Sequence, residues 1–257
     1  MEPFPNAPNQ NGGMDMNQKL DHSTEQQDAP VIVNRGEKPI PFEGNLRAEA
    51  LRIPPVIRKC TGIFVFGKRI KSLVFSTDLA IIKNVDADAV FAVHPFTPQP
   101  TITNAILASA DVPVFAGVGG GTTLGSRMVQ MAISAEAQGA VGVVVNTKGK
   151  NETIAKLHEL LEIPVVITVI MKGEDIQSRI ESGASIINVS AAAQTPEVVA
   201  EIRAQYPKIP IIATGGPTDE TILATIAAGA NAITWTPPST AELFKEIMDE
   251  YRVDNGN

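Results

Sequence analysis

DADAVFAVHPF, residues 86–96, begins a series of seven apolar segments that decides the fold of this chain. Each segment follows either a pair of small residues, as in QGAVGVVVNT, or an apolar residue and a proline, as in IPVVITVI. These two kinds of preceding residues, the small pair and the apolar residue with proline, alternate from Asp88 to Thr236. The segments are spaced about 21 to 28 residues apart, which is the length of one strand, one helix and two short loops. When SLVFST (Ser72–Thr77) is placed first, the series has eight members.

Small pairs and prolines that alternate before successive apolar segments are typical of buried parallel strands. A parallel strand is covered on both faces, so its sequence is an unbroken apolar run. The small pair lets the chain turn closely back into the sheet, and a proline is tolerated as a strand's first residue because its missing N–H costs little there. Eight uniform units in series predict a (β/α)8 TIM barrel, with a doubly wound open sheet as the alternative.

The residues before the first strand divide into two parts. Residues 1–44 are rich in Asn, Gln, Pro, Gly and Asp and cannot bury enough apolar surface to offset their ordering entropy, so we expect a disordered N-terminal arm there. The barrel domain is then residues 45–257. A short helical pattern from Asn45 ends at Pro54–Pro55, and TGIFVFGKRIKSLVF predicts two extended runs about a turn near Gly67.

Composition argues against several classes of function. The 257 residues have a formal net charge of -7, and the one tight basic group, Lys68, Arg69 and Lys71, is interpreted as a solvated strand edge, so we expect no nucleic-acid partner. A single cysteine, Cys60, excludes an intrachain disulfide and fits a reducing compartment. Three dispersed histidines have no zinc-ligand spacing, so neither a metal nor a cofactor is predicted.

The pattern of apolar residues suggests a cytoplasmic protein. The N-terminus lacks the basic and apolar regions of a signal peptide, and no apolar run approaches the ~20 residues of a membrane-spanning helix. We expect no membrane partner, and we expect a homo-oligomer.

Active sites of such barrels are built from the loops that follow the strands. His94 and Asp78 follow neighbouring predicted strands and are the best acid–base candidates, because histidine titrates near neutral pH and a carboxylate could orient it. Two alternatives stay open: His94 as a strand-end residue bonded to a carbonyl, and Asp78 as the N-cap of the first helix. Asn188 completes the predicted catalytic set.

The loop TGGPTDE (Thr214–Glu220) is the most interpretable anion site. Its two glycines would let backbone N–H groups approach an anion, and the helix that begins near Thr218 would add its positive end. The alternative is an ordinary tight turn with Thr218 or Asp219 as the N-cap. The full predicted substrate- or phosphate-binding set is Gly119, Gly120, Asn146, Thr214, Gly215, Gly216, Ser239 and Thr240.

From about residue 114 to 237, the order of features resembles the 2-keto-3-deoxy-6-phosphogluconate aldolase family. GGGTTL (Gly119–Leu124) is similar to that family's glycine–threonine turn, and PKIPIIATGG (Pro207–Gly216) is similar to its phosphate-binding strand seven. The resemblance implies an aldolase-type barrel in which Gly215 and Gly216 hold a substrate phosphate.

The same resemblance lacks the family's reactive residue. The Schiff-base lysine of the family lies in the middle of strand six, where SIINVSAAA places Asn188. An amide cannot form an imine, so the resemblance implies the fold and the phosphate pocket but not the aldolase mechanism.

Two hypotheses of function follow. The first is a metabolic enzyme, a lyase, isomerase or hydrolase, that acts on a small phosphorylated or anionic metabolite at the carboxyl ends of the strands. The second is a non-catalytic regulatory barrel that binds such a metabolite, which the shortage of charged groups at the strand ends favours.

Overall fold

A computed structural model describes residues 50–119 and 123–254, and within them eight parallel strands close into the predicted barrel. A β1–β2 hairpin precedes the barrel, and the barrel strands are β3 to β10, in the order of the predicted first to eighth. The strands are β1 Ile63–Val65, β2 Lys68–Ile70, β3 Ser72–Phe75, β4 Ala89–Ala92, β5 Val114–Gly119, β6 Gly142–Val145, β7 Val165–Val169, β8 Ile186–Val189, β9 Ile211–Thr214 and β10 Ala232–Trp235.

Helices follow the barrel strands in turn. They are α1 Leu79–Lys83, α2 Pro100–Ser109, α3 Gly125–Ala137, α4 Asn151–Leu160, α5 Ile176–Glu181, α6 Thr195–Gln205, α7 Asp219–Ala227 and α8 Thr240–Asp254, with a 3-10 turn at Ala192–Gln194 before α6. No helix in the described ranges is long and apolar enough to cross a membrane.

Direct pairing of the last strand with the first closes the barrel, so the open-sheet alternative is wrong. Thr234 of β10 stands opposite Leu73 of β3 in parallel register. The prolines that introduce alternate strands contribute to this sheet through their carbonyls: Pro113, Pro164 and Pro210 accept the N–H groups of the neighbouring strands at 2.8–3.0 Å. Because proline lacks only the donor, it can begin a strand and still pair on its acceptor side.

The barrel interior is filled from its amino-terminal end by the hairpin. Ile63, Val65 and Ile70 of the hairpin join the inward-facing side chains of the strands in one buried cluster. Gly142 is required in this interior, because a Cβ there would lie 2.6 Å from a ring carbon of Phe115. The hairpin therefore seals the amino-terminal end, and the carboxyl ends of the strands form the open one.

The lead-in contains a short helix, but it begins at the prolines and does not end there. Residues 50–54 are not helical, and Leu51 forms a parallel bridge with Val85. A 3-10 helix then covers Pro55–Lys59. The physical reason is that proline disfavours the helical conformation of the residue before it. Residues 1–49 lie outside the described part, so the arm at 1–44 and the domain division remain predictions.

The last helix, α8, exposes apolar side chains along one side. Phe244, Ile247, Met248 and Tyr251 occur at helical spacing, and each is more than two fifths exposed. Residues three and four apart lie on one face of a helix, so these four side chains form a continuous apolar stripe.

Candidate functional site

Neutral polar side chains line the inside of the barrel mouth from β7 to β10. Side chains alternate along a strand, so Asn188, two residues after the core residue Ile186, points inward. Its amide nitrogen donates to the hydroxyl of Thr168 on the neighbouring strand β7 at 3.3 Å. On the other side of β8, the Thr214 hydroxyl lies 3.3 Å from that of Ser190. The predicted residues Asn188 and Thr214 thus belong to two separate hydrogen-bonded pairs of neutral side chains.

His94, Gly119 and Asn146 are brought together in one cavity of about 350 Å³ at the carboxyl ends of β4, β5 and β6. The His94 Nδ1 atom is buried and has no hydrogen-bond partner among the described residues. The Asn146 backbone N–H donates to the carbonyl of Gly119 at 3.2 Å, which ties the two loops together. We call this space, also lined by Phe75, Val93, Pro95, Phe96, Pro98 and Gly117, the His94 cavity.

Asp78 does not orient His94. Its carboxylate accepts the N–H groups of Ala80 and Ile81 at 2.8 and 3.3 Å and is therefore the N-cap of α1, the alternative kept open by the sequence. The Thr240 hydroxyl donates to its other oxygen and, as the largest cause, lowers the pKa of the Asp78 carboxyl. The predicted pairing is wrong because the first turn of α1 holds the carboxylate over its own N–H groups.

The two glycines after β9 each have a packing reason. A Cβ on Gly215 would lie 2.7 Å from a methyl carbon of Ile233. Gly216 has a φ of +83°, a conformation that favours glycine, and its Cβ would meet Thr221. Thr218 caps α7 in a reciprocal box with Thr221. The tight-turn alternative is thus confirmed, and the phosphate-binding roles of Gly215 and Gly216 remain a prediction.

Ser239 and Thr240, like Thr218, form hydrogen bonds within the fold. The Ser239 N–H and hydroxyl both donate to the Glu242 carboxylate at 2.7 Å, which caps α8 and lowers the pKa of the Glu242 carboxyl. Thr240 is bonded to Asp78. Ser239, which the sequence predicts to bind an anion, therefore already donates to one, the carboxylate of Glu242. Gly120, also predicted for this role, lies outside the described residues.

A second and larger cavity, of about 780 Å³, lies at the carboxyl ends of β9 and β10. Its lining includes the predicted Thr214 and Gly216, but its charged members are the three carboxylates Asp219, Glu242 and Glu246. Two lining residues were not predicted from the sequence: Glu246 on α8 and Trp235 at the end of β10. Their only sequence signal is adjacency to β10, since α8 follows that strand after a short proline loop.

The described residues do not fit a carboxylate or histidine metal centre. Among them, no group of three or more His, Cys, Asp or Glu side chains could hold a metal ion. We therefore derive no chemical step through a bound metal.

Comparison with solved structures shows the same barrel in several enzymes. The complex of phosphonopyruvate hydrolase with oxalate and Mg²⁺ aligns at a TM-score of 0.56, with 15% identity over 73% of this chain and 83% of that chain. Phosphoenolpyruvate phosphomutase from Streptomyces platensis subsp. rosaceus aligns at 0.54, with 12% identity over 79% and 86%. A mandelate oxidase complex aligns at 0.56, with 16% identity over 69% and 68%.

No protein-family model matches the chain, and no curated protein matches it in sequence. The resemblance to the 2-keto-3-deoxy-6-phosphogluconate aldolase family is not shown by the structural likenesses and rests on the sequence motifs alone. At 12–16% identity, the likenesses show the fold: the chain is an eight-stranded (β/α)8 barrel of the kind found in these enzymes.

Proposed function

We propose that this chain is an enzyme that transfers a proton to or from a small anionic metabolite bound in the His94 cavity. One observation carries the proposal: a histidine whose Nδ1 is buried without a partner in the described residues shares a cavity with Asn146, Gly117 and Gly119 at the carboxyl ends of three barrel strands. This is the end of the barrel at which TIM-barrel enzymes place their chemistry. The cavity volume of about 350 Å³ is suited to a small metabolite.

His94 supplies the acid or base in this proposal. A neutral imidazole nitrogen without a hydrogen-bond partner can accept a proton from a bound substrate and return it to another atom. Asn146 would hold a substrate oxygen through its amide. Proton transfer of this kind serves lyase, isomerase and hydrolase reactions alike, so the proposal includes all three classes.

The anionic character of the substrate is supported by α3, the helix that follows β5, because Gly119 at the end of β5 lines the cavity. α3 begins at Gly125, and its N-cap residue, Leu124, makes no side-chain capping hydrogen bond. Uncapped N–H groups and the positive end of the helix dipole favour an anion. Arg127 lies in the first turn and is exposed. The phosphonopyruvate hydrolase of the same fold binds oxalate, a small dianion, in its solved complex.

The experiment is a panel of sugar phosphates, 2-oxo acids and oxalate, with thermal stability and substrate loss measured in parallel. A ligand at ~100 times its Kd stabilises a protein by about 2.7 kcal/mol, so binding is visible even without turnover. For a turned-over member, we expect His94→Ala to abolish activity while the thermal midpoint stays within a few degrees. The matched control is His158→Ala, because His158 is exposed on α4 and lines neither cavity. Wild-type activity in His94→Ala would remove His94 from the mechanism.

A non-catalytic metabolite-binding barrel is the second candidate. The observation that favours it is that no carboxylate, lysine or arginine lines the His94 cavity among the described residues, and that Asp78 is committed to α1. Stabilisation without turnover across the panel would favour this candidate. No stabilisation by any member would overturn the anion site in both.

A further inference from the structure

The cavity between α7 and α8 has a charge opposite to that of a phosphate site. It is lined by Asp219, Glu242 and Glu246, and no lysine, arginine or histidine of the described residues lines it. A phosphate there would be repelled by three carboxylates. The positive end of α7 offers little compensation, because Asp219 and Glu220 already occupy its first turn and Thr218 caps it.

An aromatic ring adds a second preference. Trp235 stands at the end of β10 and lines the same cavity as the carboxylates. The face of an indole ring attracts cations, and it does so more strongly than the rings of tyrosine or phenylalanine. Carboxylates together with an indole are a combination that recognises ammonium groups.

A buried hydroxyl without a hydrogen-bond partner in the described residues is a second, independent indication of a ligand. Thr234 is 5% exposed and lines the cavity, and its Oγ1 has no hydrogen-bond partner among the residues that the structure describes. A buried polar atom without a partner is costly, and such atoms are found where a ligand or a water completes the bonding. An ammonium N–H is a donor that this oxygen can accept from.

We propose that the cavity between α7 and α8 binds a small organic cation that carries an ammonium group, with Asp219, Glu242 and Glu246 supplying the charge, Trp235 the aromatic face and Thr234 a hydroxyl acceptor. None of these five residues lines the His94 cavity. The cation site can therefore be tested independently of the proposed enzyme function, which concerns a different cavity.

Trp235 is the only tryptophan of the chain, so its fluorescence reports on this cavity alone. The full chain is titrated with propylamine hydrochloride and with 1,4-diaminobutane at constant ionic strength, and with inorganic phosphate and glucose as the other arms. We expect a saturable change in tryptophan emission with at least one amine and none with phosphate or glucose. The absence of a saturable change with both amines, or saturation by phosphate or glucose alone, overturns the proposal.

Two variants test the residues. Glu246→Gln should raise the Kd for the amine at least 3-fold, because it removes one of three charges. The matched control, Glu250→Gln, lies one turn further along the same helix and outside the cavity lining, so its Kd should equal that of the wild type. Equal Kd values for both variants and the wild type overturn the assignment. Circular dichroism of each variant establishes that α8 is retained.

Discussion

The two ends of the barrel differ in how fully their polar groups are hydrogen-bonded. At the amino-terminal end, the Arg203 guanidinium donates to four backbone carbonyls and to Asn231, and Asp88 accepts the N–H groups of Lys71 and Ser72. At the carboxyl end, three buried atoms have no partner in the described residues: His94 Nδ1, Thr123 Oγ1 and Thr234 Oγ1. The fourth such atom, Gln138 Oε1, lies at the amino-terminal end.

This difference teaches which end is built for stability and which for binding. Buried polar groups in native proteins are nearly always hydrogen-bonded, so those left open need a reason. In barrels of this kind, the loops at the amino-terminal face stabilise the fold, whereas those at the carboxyl face carry function. That division can be tested at four positions: Arg203, Cys60, Asp78 and Thr234.

The largest effect is expected at Arg203. Arg203→Met would leave the carbonyls of Pro207, Ile209 and Gly229 without the donor that now lies at 2.8–2.9 Å from each. Loss of a charged donor to several carbonyls, of which those of Ile209 and Gly229 are part-buried, should lower the free energy of unfolding by about 3 kcal/mol. Urea denaturation measures it. Arg252→Met is the control, because Arg252 is exposed and pairs only across one helical turn, and it should change stability by less than ~0.5 kcal/mol. Equal losses in the two variants would contradict the role of Arg203.

The next effect is kinetic and concerns Cys60. Burial, as the largest cause, raises the pKa of the Cys60 thiol from 9.0 to about 11. At pH 8 this lowers the thiolate fraction by about 100-fold, and the thiolate is the reactive form. We expect a disulfide reagent to modify Cys60 at least about 100-fold more slowly in the native chain than in urea. Reaction at the unfolded rate would show that the amino-terminal end opens readily.

A smaller effect, with a defined pH dependence, is expected at Asp78. Asp78→Ala removes the N-cap of α1 and the partner of Thr240, and should cost about 1 kcal/mol at pH 7. The folded-state pKa of this carboxyl is lowered, so its contribution is present above the unfolded pKa and is lost as pH falls through the folded one. The stability difference between wild type and variant should therefore begin to shrink as the pH falls below about 4, and should vanish only below the lowered folded-state pKa. A difference that grows on acidification would contradict the sign.

The smallest effect should have the opposite sign. Thr234→Val removes a buried hydroxyl that has no partner in residues 50–119 and 123–254, so we expect no loss of stability and a gain of up to ~0.5 kcal/mol. The matched control is Thr225→Val on α7, because Thr225 is equally buried but donates to the Thr221 carbonyl at 2.9 Å. That control should lose about 1 kcal/mol. A loss at Thr234 as large as the loss at Thr225 would mean that its hydroxyl is satisfied by the fold itself.

Much of the strand order could be predicted because the residues immediately before each strand mark its start. The alternation of small pairs and prolines marks each strand start, and the carbonyls of Pro113, Pro164 and Pro210 show why the prolines stand there. The N-cap alternatives at Asp78 and Thr218 were also local, since a cap bonds to N–H groups two or three residues away.

The candidate site could be predicted only in part. His94, Gly119 and Asn146 were each found as strand-end residues, but that they share one cavity depends on the closure of the barrel. The pairing of Asp78 with His94 failed because neighbouring strands do not fix where a side chain points once a helix N-terminus competes for it. Glu246 was missed because its place beside Trp235 depends on how α8 returns across the end of β10.

From the sequence alone we could infer the fold class, the order of the strands and the residues available at their carboxyl ends. The signals are hydrophobic periodicity and the small pair or proline before each strand, and both act over a few residues. Only the tertiary structure decided how those residues are grouped: His94 with Asn146, Asp78 with Thr240, and Trp235 with three carboxylates. The physical reason is that charge and hydrogen bonding act through space, so a loop with glycines for an anion can face carboxylates from a helix further along the chain.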